Sequence, residues 1–398
     1  MSQTGPQARQ KKRIIVVGST GSIGASTLDV ARNLAADVEV VALAAGSRWE
    51  PLLEQAKEFR PQVVALTDSR AMDHFRKAIN GSGENTNPRM FAGADGLVEM
   101  VRSTNAEMVV AAISGAAGLP ASIAALESGK DLALANKESM VCAGEILNRL
   151  AAQHGRSILP VDSEHSAIFQ ALRSGRNCEV NAVILTASGG PFRKFTLEQL
   201  SKVTPAQALR HPTWQMGAKI TIDSASLMNK ALEVIEARWL FDMPAAKIRV
   251  VVHPQSIVHS LVEFVDGSTI CQLGPPDMRI PIQYAITFPE RRPLKTQQLS
   301  LTEIGSLTFE EPDPGRFPSL RMAYEVLGRG GTSAAVFNAA NEVAVDLFLK
   351  NKIGFLRIFD LVEHAITSHN VVDHPPLQAI LDADRWAREE VNRVFAGR

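Results

Sequence analysis

The sequence predicts a multidomain α/β and α+β protein, with an N-terminal Rossmann-like doubly wound parallel sheet, a central α+β domain and a C-terminal helical bundle. Three observations carry that expectation. From Arg13 to about Val161, short apolar runs alternate with amphipathic stretches. Beyond Asp162 the strands alternate in polarity and include a hairpin turn, and after Pro318 the periodicity is helical.

The first part takes strands at residues 14–17, 38–44, 63–66, 108–113, 131–135 and 157–161. These are continuous apolar runs, which suits strands covered by helices on both faces. Amphipathic helices at 23–33, 50–59 and 137–153 lie between them, and residues 80–96, rich in Gly and Asn, read as a surface insertion. In the central part, runs at 180–186, 249–252 and 257–265 alternate, and the last enters an Asp266-Gly267 turn before 268–273. That is a hairpin signal and predicts a mostly antiparallel sheet. The stretch 291–318 carries many prolines, and helical patterns follow at 320–327, 332–350, 355–368 and 377–395. The expected division is a dinucleotide-binding domain over 13–161, a catalytic α+β domain over 162–292, a linker over 293–317 and a helical domain over 318–398.

Composition narrows the function. The 398 residues are 45% hydrophobic and 21% charged, enough to build two or three cored domains. Lys+Arg and Asp+Glu balance at 42 each, so no overall field recruits nucleic acid or an anionic membrane. No run of about 18 apolar residues is present to span a bilayer. The basic leader, residues 1–13, lacks the apolar core of a secretory signal. Cys142, Cys178 and Cys271 stand far apart without a C-x-x-C pair, which argues against a disulfide or zinc framework and fits a reducing cytoplasm.

The first strand runs into Gly18-Ser19-Thr20-Gly21-Ser22-Ile23-Gly24 and then a helical pattern. Glycines there permit a tight turn and let a pyrophosphate approach the helix N-terminus. The spacing is G-x-x-G-x-x-G rather than the commoner G-x-G-x-x-G, and a ligand-free strand-to-helix turn is the alternative. The second strand ends in Gly46-Ser47-Arg48, where an NAD site would place an acid for the ribose hydroxyl. A hydroxyl and a guanidinium suit a 2′-phosphate, hence NADP, although Arg48 as a solvated surface charge is the plainer alternative.

Ligands gather at the carboxyl ends of strands in an open parallel sheet. Asn136-Lys137-Glu138 follow one strand and Asp162-Ser163-Glu164 another. Two carboxylates two apart invite a hard cation such as Mg²⁺ or Mn²⁺, although a D-x-E pair alone is weak. Ser188-Gly189-Gly190 follows a strand in the manner of an anion nest. The segment His211-Pro-Thr-Trp214-Gln-Met216-Gly217 reads as a closing flap or, equally, as an apolar loop docked on the core. Ser224 precedes a helical stretch in which Asn229, Lys230 and Glu233 share one face, with Lys230 free to meet a phosphate and Glu233 a metal. A surface ion pair between Lys230 and Glu233 is the simpler possibility.

Taken in order, GSTGSIG, LANKES, LPVDSEHSAIFQ, SGGPFR, HPTWQMG, DSASLMNKALEVIEA and HPQSIVHS closely resemble the 1-deoxy-D-xylulose 5-phosphate reductoisomerases of the non-mevalonate isoprenoid pathway, over about residues 13 to 395. The resemblance implies three domains, a homodimer, NADPH, a divalent ion (Mg²⁺, Mn²⁺ or Co²⁺) and conversion of the sugar phosphate into 2-C-methyl-D-erythritol 4-phosphate. It implies Asp162, Glu164 and Glu233 as metal ligands. Ser188, Ser224, Asn229 and Lys230 match a phosphate pocket beside His211, and Lys137 and Ser163 match residues on the sugar. Lys137, Glu164, His211 and Glu233 are the expected catalytic set. Thr20, Gly21, Ser22, Ile23, Gly46, Ser47, Arg48, Asn136, Glu138 and Gly217 match cofactor contacts, and Trp214 and Met216 a flap. Many members carry Lys-Asn in place of Ser47-Arg48, and some carry Asn or Gly in place of Ala187. The first departure leaves open how the 2′-phosphate is read. The resemblance favours retro-aldol and aldol steps, whereas the residues themselves fit a direct ketol shift as well. Two other classes share the layout: an NADP-dependent dehydrogenase of another polyol phosphate, and a non-catalytic NADP sensor.

Overall fold

The computed structural model describes residues 10–81, 87–210 and 216–397. The chain packs as two compact units. The first takes the chain up to Asn136 together with Arg149–Val161 and Met278–Leu294. The second takes Lys137–Asn148, Asp162–Asp277 and Lys295–Arg398.

In the first unit seven strands form one sheet: β1 Lys12–Val17, β2 Val38–Ala45, β3 Val63–Leu66, β4 Arg89–Ala92, β5 Met108–Ala111, β6 Asp131–Leu134 and β7 Ile158–Pro160. Every neighbouring pair is parallel, and the order is β4-β3-β2-β1-β5-β6-β7. Ile14, Ile15, Val16, Leu43, Val64 and Val110 are wholly buried, as the unbroken apolar runs require of a sheet covered on both faces. The order turns back on itself at β1, so the crevice beyond the ends of β1 and β5 is the switch point where such folds bind ligands.

One expectation is corrected. Within the supposed insertion at 80–96 lies β4, followed by the helix Gly93–Ser103; residues 82–86 fall outside the described set. This strand has four residues and stands at the sheet edge, with Met90 and Phe91 only half-buried. An edge strand of that length leaves no continuous apolar run to read.

The second unit holds a mixed sheet of β8 Val180–Ala187, β9 Ile248–Val252, β10 Val258–Phe264 and β11 Thr269–Leu273, in the order β11-β10-β8-β9. The pairs β11–β10 and β10–β8 are antiparallel, and β8–β9 is parallel. A parallel pair needs a long crossover. Here the crossover carries the helices Ala218–Ala225, with Ser224, and Met228–Leu240, with Asn229, Lys230 and Glu233. The helices Ser319–Arg329, Ser333–Leu349, Arg357–Ser368 and Leu377–Phe395 share one buried core with this sheet, joining Phe337, Phe348 and Phe355 to Val183 and Leu232. Phe355 meets Phe348 and Phe359 edge-on at 5.6 and 5.8 Å.

Candidate active site

In the first unit the chain leaves β1 through Gly18, whose φ of 85° belongs to glycine. A Cβ at Gly18 would lie 2.5 Å from the Ala112 carbonyl oxygen, and one at Gly24 would lie 2.5 Å from the Ser19 backbone. The two glycines therefore let the helix Ser22–Asn33 start close against the strand ends. Gly21 caps that helix without a side-chain acceptor, and its first turn has no acidic residue. Such a turn suits a pyrophosphate, whose charge the helix N-terminus favours. Arg48, exposed, folds back and donates to the Thr20 carbonyl, which places its guanidinium at the glycine turn beside Gly46 and Ser47. Asn136 donates to the Ile113 and Gly115 carbonyls at 2.6 and 2.9 Å, pinning the loop after β5.

In the second unit Lys137, buried, is the first residue of a helix. Its ammonium lies 2.6 Å from Asp162 Oδ2, 3.0 Å from Glu233 Oε1 and 2.7 Å from Asn229 Oδ1. Asp162 stands at the N-cap of the helix Ser163–Ala171, with Ser163 and Glu164 in its first turn. Ser163 Oγ donates to Glu164 Oε2 at 2.6 Å. From the helix Met228–Leu240, Lys230 bridges Glu164 Oε1 at 2.8 Å and Glu233 Oε2. Asn229 Nδ2 donates to Glu233 Oε1 at 2.5 Å. The ion pair of Lys230 with Glu233 is thus real, but it is not a surface pair: both side chains are buried.

Asp162, Glu164 and Glu233 each turn an oxygen toward the others, all within 4.8 Å. Three carboxylates face two ammonium groups, which leaves the cluster short of positive charge. Burial opposes ionisation of Asp162, yet the adjacent Lys137 ammonium holds its carboxyl well below the usual range. Burial, then Glu233 and Asp162, push Glu164 up despite Lys230. Burial costs the Lys137 ammonium, but Asp162 and Glu233 more than offset it and raise its pKa well above normal. An all-oxygen set with excess negative charge fits a hard divalent cation.

Two neighbours escaped the sequence reading. His165 Nε2 lies 3.0 Å from the Glu233 carbonyl, and its Nδ1 lies 3.3 Å from Glu236 Oε2. Both side chains are fully buried. Burial pulls the imidazole down to about 4, so it is neutral and donates through Nε2, and burial pushes the Glu236 carboxyl well up. The signals available were the three-residue spacing of Glu233 and Glu236 and the adjacency of His165 to Glu164.

Ser188 directly follows β8, and Gly189 and Gly190 come next with φ of 78° and 65°. A Cβ on Gly190 would meet the Ser224 carbonyl at 2.7 Å, so this turn packs directly on the end of the helix Ala218–Ala225, and Gly190 N–H donates to Ser188 Oγ at 3.2 Å. Gly217 caps that helix, and Glu138, buried, follows Lys137. His211 and Trp214 lie outside the described residues, and Met216 is the first described residue after them. Residues 20–23, 46–48 and Asn136 belong to the first unit, and the other expected site residues described here belong to the second.

Family models match along the chain: 1-deoxy-D-xylulose 5-phosphate reductoisomerase over residues 14–144, its C-terminal domain over 158–241, and a DXP reductoisomerase C-terminal domain over 273–390. The 1-deoxy-D-xylulose 5-phosphate reductoisomerase of Chlorobium phaeobacteroides is 53% identical over 378 residues, covering 95% of this chain and 97% of the relative. That of Pelotomaculum thermopropionicum is 51% identical over 377 residues, with 95% and 97% covered. Among solved structures, the Zymomonas mobilis reductoisomerase in complex with NADPH superposes with a TM-score of 0.90 at 41% identity, covering 97% of this chain and 99% of that one. A DOX-P reductoisomerase in complex with NADPH, fosmidomycin and magnesium gives 0.90 at 37% identity, with 96% and 99% covered.

Proposed function

The chain belongs to the 1-deoxy-D-xylulose 5-phosphate reductoisomerase family, and we propose that the carboxylate–lysine cluster of its second unit runs the family's reaction. It is an NADP-dependent oxidoreductase with intramolecular isomerase activity. It converts 1-deoxy-D-xylulose 5-phosphate into 2-C-methyl-D-erythritol 4-phosphate, a step toward isoprenoid precursors, and uses NADPH and a divalent metal. The observation that carries the residue assignment is the meeting of Asp162, Glu164 and Glu233 within 4.8 Å.

In this reading Asp162, Glu164 and Glu233 hold the ion. When bound there it polarises the substrate carbonyl and neighbouring hydroxyl oxygens. Lys137 and Ser163, which already touch the ligand carboxylates, donate to the sugar oxygens and fix its orientation. Lys230, Asn229, Ser188 and Ser224, with His211, take the phosphate. That group is remote from the reacting carbons, so its binding energy serves to position them. Thr20, Gly21, Ser22, Ile23, Gly46, Ser47, Arg48, Asn136, Glu138 and Gly217 hold NADPH, which supplies hydride when bound. Trp214, outside the described residues, and Met216 complete the proposed set as its flap pair. In this reading residues 13–161 serve chiefly the dinucleotide, with Lys137 reaching the sugar, and 162–292 serve chiefly metal and sugar, with Gly217 reaching the dinucleotide; 293–317 is linker and 318–398 helical support.

The chain works as a homodimer in the cytoplasm. Supporting the dimer is β11, an edge strand with Ile270 exposed and Val265 exposed nearby. Supporting the compartment are three free cysteines, and no described helix is long and apolar enough to cross a membrane. Loss of the NADPH absorbance band, followed with and without 1-deoxy-D-xylulose 5-phosphate, Mg²⁺ and chelator, tests the activity. Asp162→Asn, Glu164→Gln and Glu233→Gln test the ligand set. Activity that survives chelation would sink the metal assignment.

A further inference from the structure

Lys219 lies outside every role assigned above, yet its surroundings are unusual. It sits two residues past Gly217, in the first turn of the helix Ala218–Ala225. Its ammonium lies 3.0 Å from Glu138 Oε1 and 2.8 Å from Asp223 Oδ2. Asp223 is fully buried, and its other oxygen accepts from Asn341 Nδ2 at 2.8 Å. Asn341 is itself fully buried, on the helix Ser333–Leu349. One cation therefore neutralises two buried carboxylates from two helices, and a third helix fixes the second carboxylate with an amide.

An arrangement of this kind does more than stabilise. Two of the groups it joins are proposed cofactor contacts: Glu138 is bonded to Lys219 directly, and Gly217 caps the Lys219 helix. Asp223 is chain neighbour to Ser224, a proposed phosphate contact. A buried carboxylate without its cation is costly, and the Lys219 ammonium offsets that cost for Glu138 and Asp223 together. The ammonium ties the Glu138 carboxylate to the helix Ala218–Ala225. We propose that Lys219 is a positioning residue for NADPH binding, fixing the Glu138 carboxylate in place and locking it to the helix that carries Gly217 and Ser224. The proposal rests on the reading of Glu138 as a cofactor contact.

The test compares Lys219→Met, Lys219→Arg, Glu138→Gln and the double variant Lys219→Met/Glu138→Gln of the full chain. NADPH affinity is read by fluorescence, with KM and kcat for both substrates, Mn²⁺ affinity and melting temperature. Expected is a rise in NADPH Kd on the order of 10-fold for Lys219→Met, with Mn²⁺ affinity kept. Lys219→Arg should restore most of the NADPH affinity, and the double variant should be no worse than Glu138→Gln. If Glu138→Gln weakens NADPH while Lys219→Met lowers only the melting temperature, or if the two losses simply add, Lys219 is structural and the proposal is overturned. If Glu138→Gln leaves NADPH affinity unchanged, the cofactor reading of Glu138 falls and takes the proposal with it. Should Lys219→Met not accumulate folded, Lys219→Met/Asp223→Asn removes the more deeply buried of the two charges left behind and carries the same comparison.

Discussion

Lys137 and Glu233 stand 96 positions apart in the chain, yet the Lys137 ammonium lies 3.0 Å from Glu233 Oε1 with both side chains buried. The same ammonium lies 2.6 Å from Asp162 Oδ2, so it bridges two of the three proposed metal ligands. A lysine so placed competes with the cation for those oxygens and must move aside when the ion binds. Lys137→Ala should therefore bind Mn²⁺ as tightly as the parent or more so, while turnover falls on the order of 10²-fold because the sugar loses a positioning donor. Titration calorimetry alongside steady-state assays separates the two effects. Loss of Mn²⁺ binding in this variant would mean that Lys137 organises the carboxylates instead of competing for them.

The ligand set itself predicts matching losses in two distant residues. Glu233 is fully buried and Asp162 nearly so, and each touches Lys137. Glu233→Gln and Asp162→Asn keep the shapes and remove one charge each. Both should weaken Mn²⁺ and cut turnover on the order of 10²-fold or more, with NADPH binding retained. A fully active, metal-replete Glu233→Gln enzyme would contradict a shared site.

Much of this was legible in the sequence, and the exceptions have physical causes. Buried parallel strands announce themselves as apolar runs, so the runs at 14–17, 38–44 and 63–66 match β1, β2 and β3 to within two residues. The edge strand β4 was not, because half its surface faces solvent. Asp162 and Glu164 were found as a pair by their spacing, but Glu233 joined them only through the family resemblance, since spacing along a chain says nothing of a contact made by folding. The same limit hid Lys137 as their bridge. His165 and Glu236 were missed for another reason: a His or Glu on a helix is ordinarily a solvated face, and only the packing reveals that these two are sealed inside.

The phosphate pocket predicts a selective defect. Lys230 reaches both Glu164 and Glu233 from the helix Met228–Leu240, and its removal withdraws a charge from the anion side of the cluster. Lys230→Ala should raise KM for the sugar phosphate on the order of 10-fold or more and leave NADPH affinity nearly intact, because a charge-assisted contact contributes about 1.5–3 kcal/mol. Loss of NADPH binding with substrate binding retained would show that the two anion sites were assigned the wrong way round.

Acid sensitivity has a separate source in the C-terminal helices. Glu390 accepts from Arg393 at 2.6 and 2.7 Å and lies 2.8 Å from His364 Nε2. Arg393 first, and His364 after it, hold its carboxyl down to about 2, against an ordinary value of 4.5. A depressed folded-state value means that this contribution is fully present above the ordinary value and is lost as pH falls toward about 2. Glu390→Gln should melt below the parent at pH 6, and the gap should close by about pH 2. A gap that stays constant across that window would assign the effect to lost hydrogen bonds alone.

Cofactor choice turns on Arg48. After β2 the chain offers Gly46, Ser47 and Arg48, with no acid to take a ribose hydroxyl. Arg48 donates to the Thr20 carbonyl, which holds its guanidinium over the glycine turn and leaves other donors of its fork available to a phosphate. Two roles are therefore in competition. If the guanidinium reads the 2′-phosphate, Arg48→Ala should weaken NADPH by roughly 1.5–3 kcal/mol, about 10- to 100-fold, and leave NADH almost unchanged. If it serves only to brace the turn through Thr20, both cofactors should weaken together, since each places its pyrophosphate on the same helix N-terminus. Arg48→Lys sharpens the comparison, because it keeps the charge but loses the planar fork. The decisive quantity is the ratio of NADPH to NADH dissociation constants in the three proteins, and a ratio unchanged in Arg48→Ala assigns 2′-phosphate recognition to other residues.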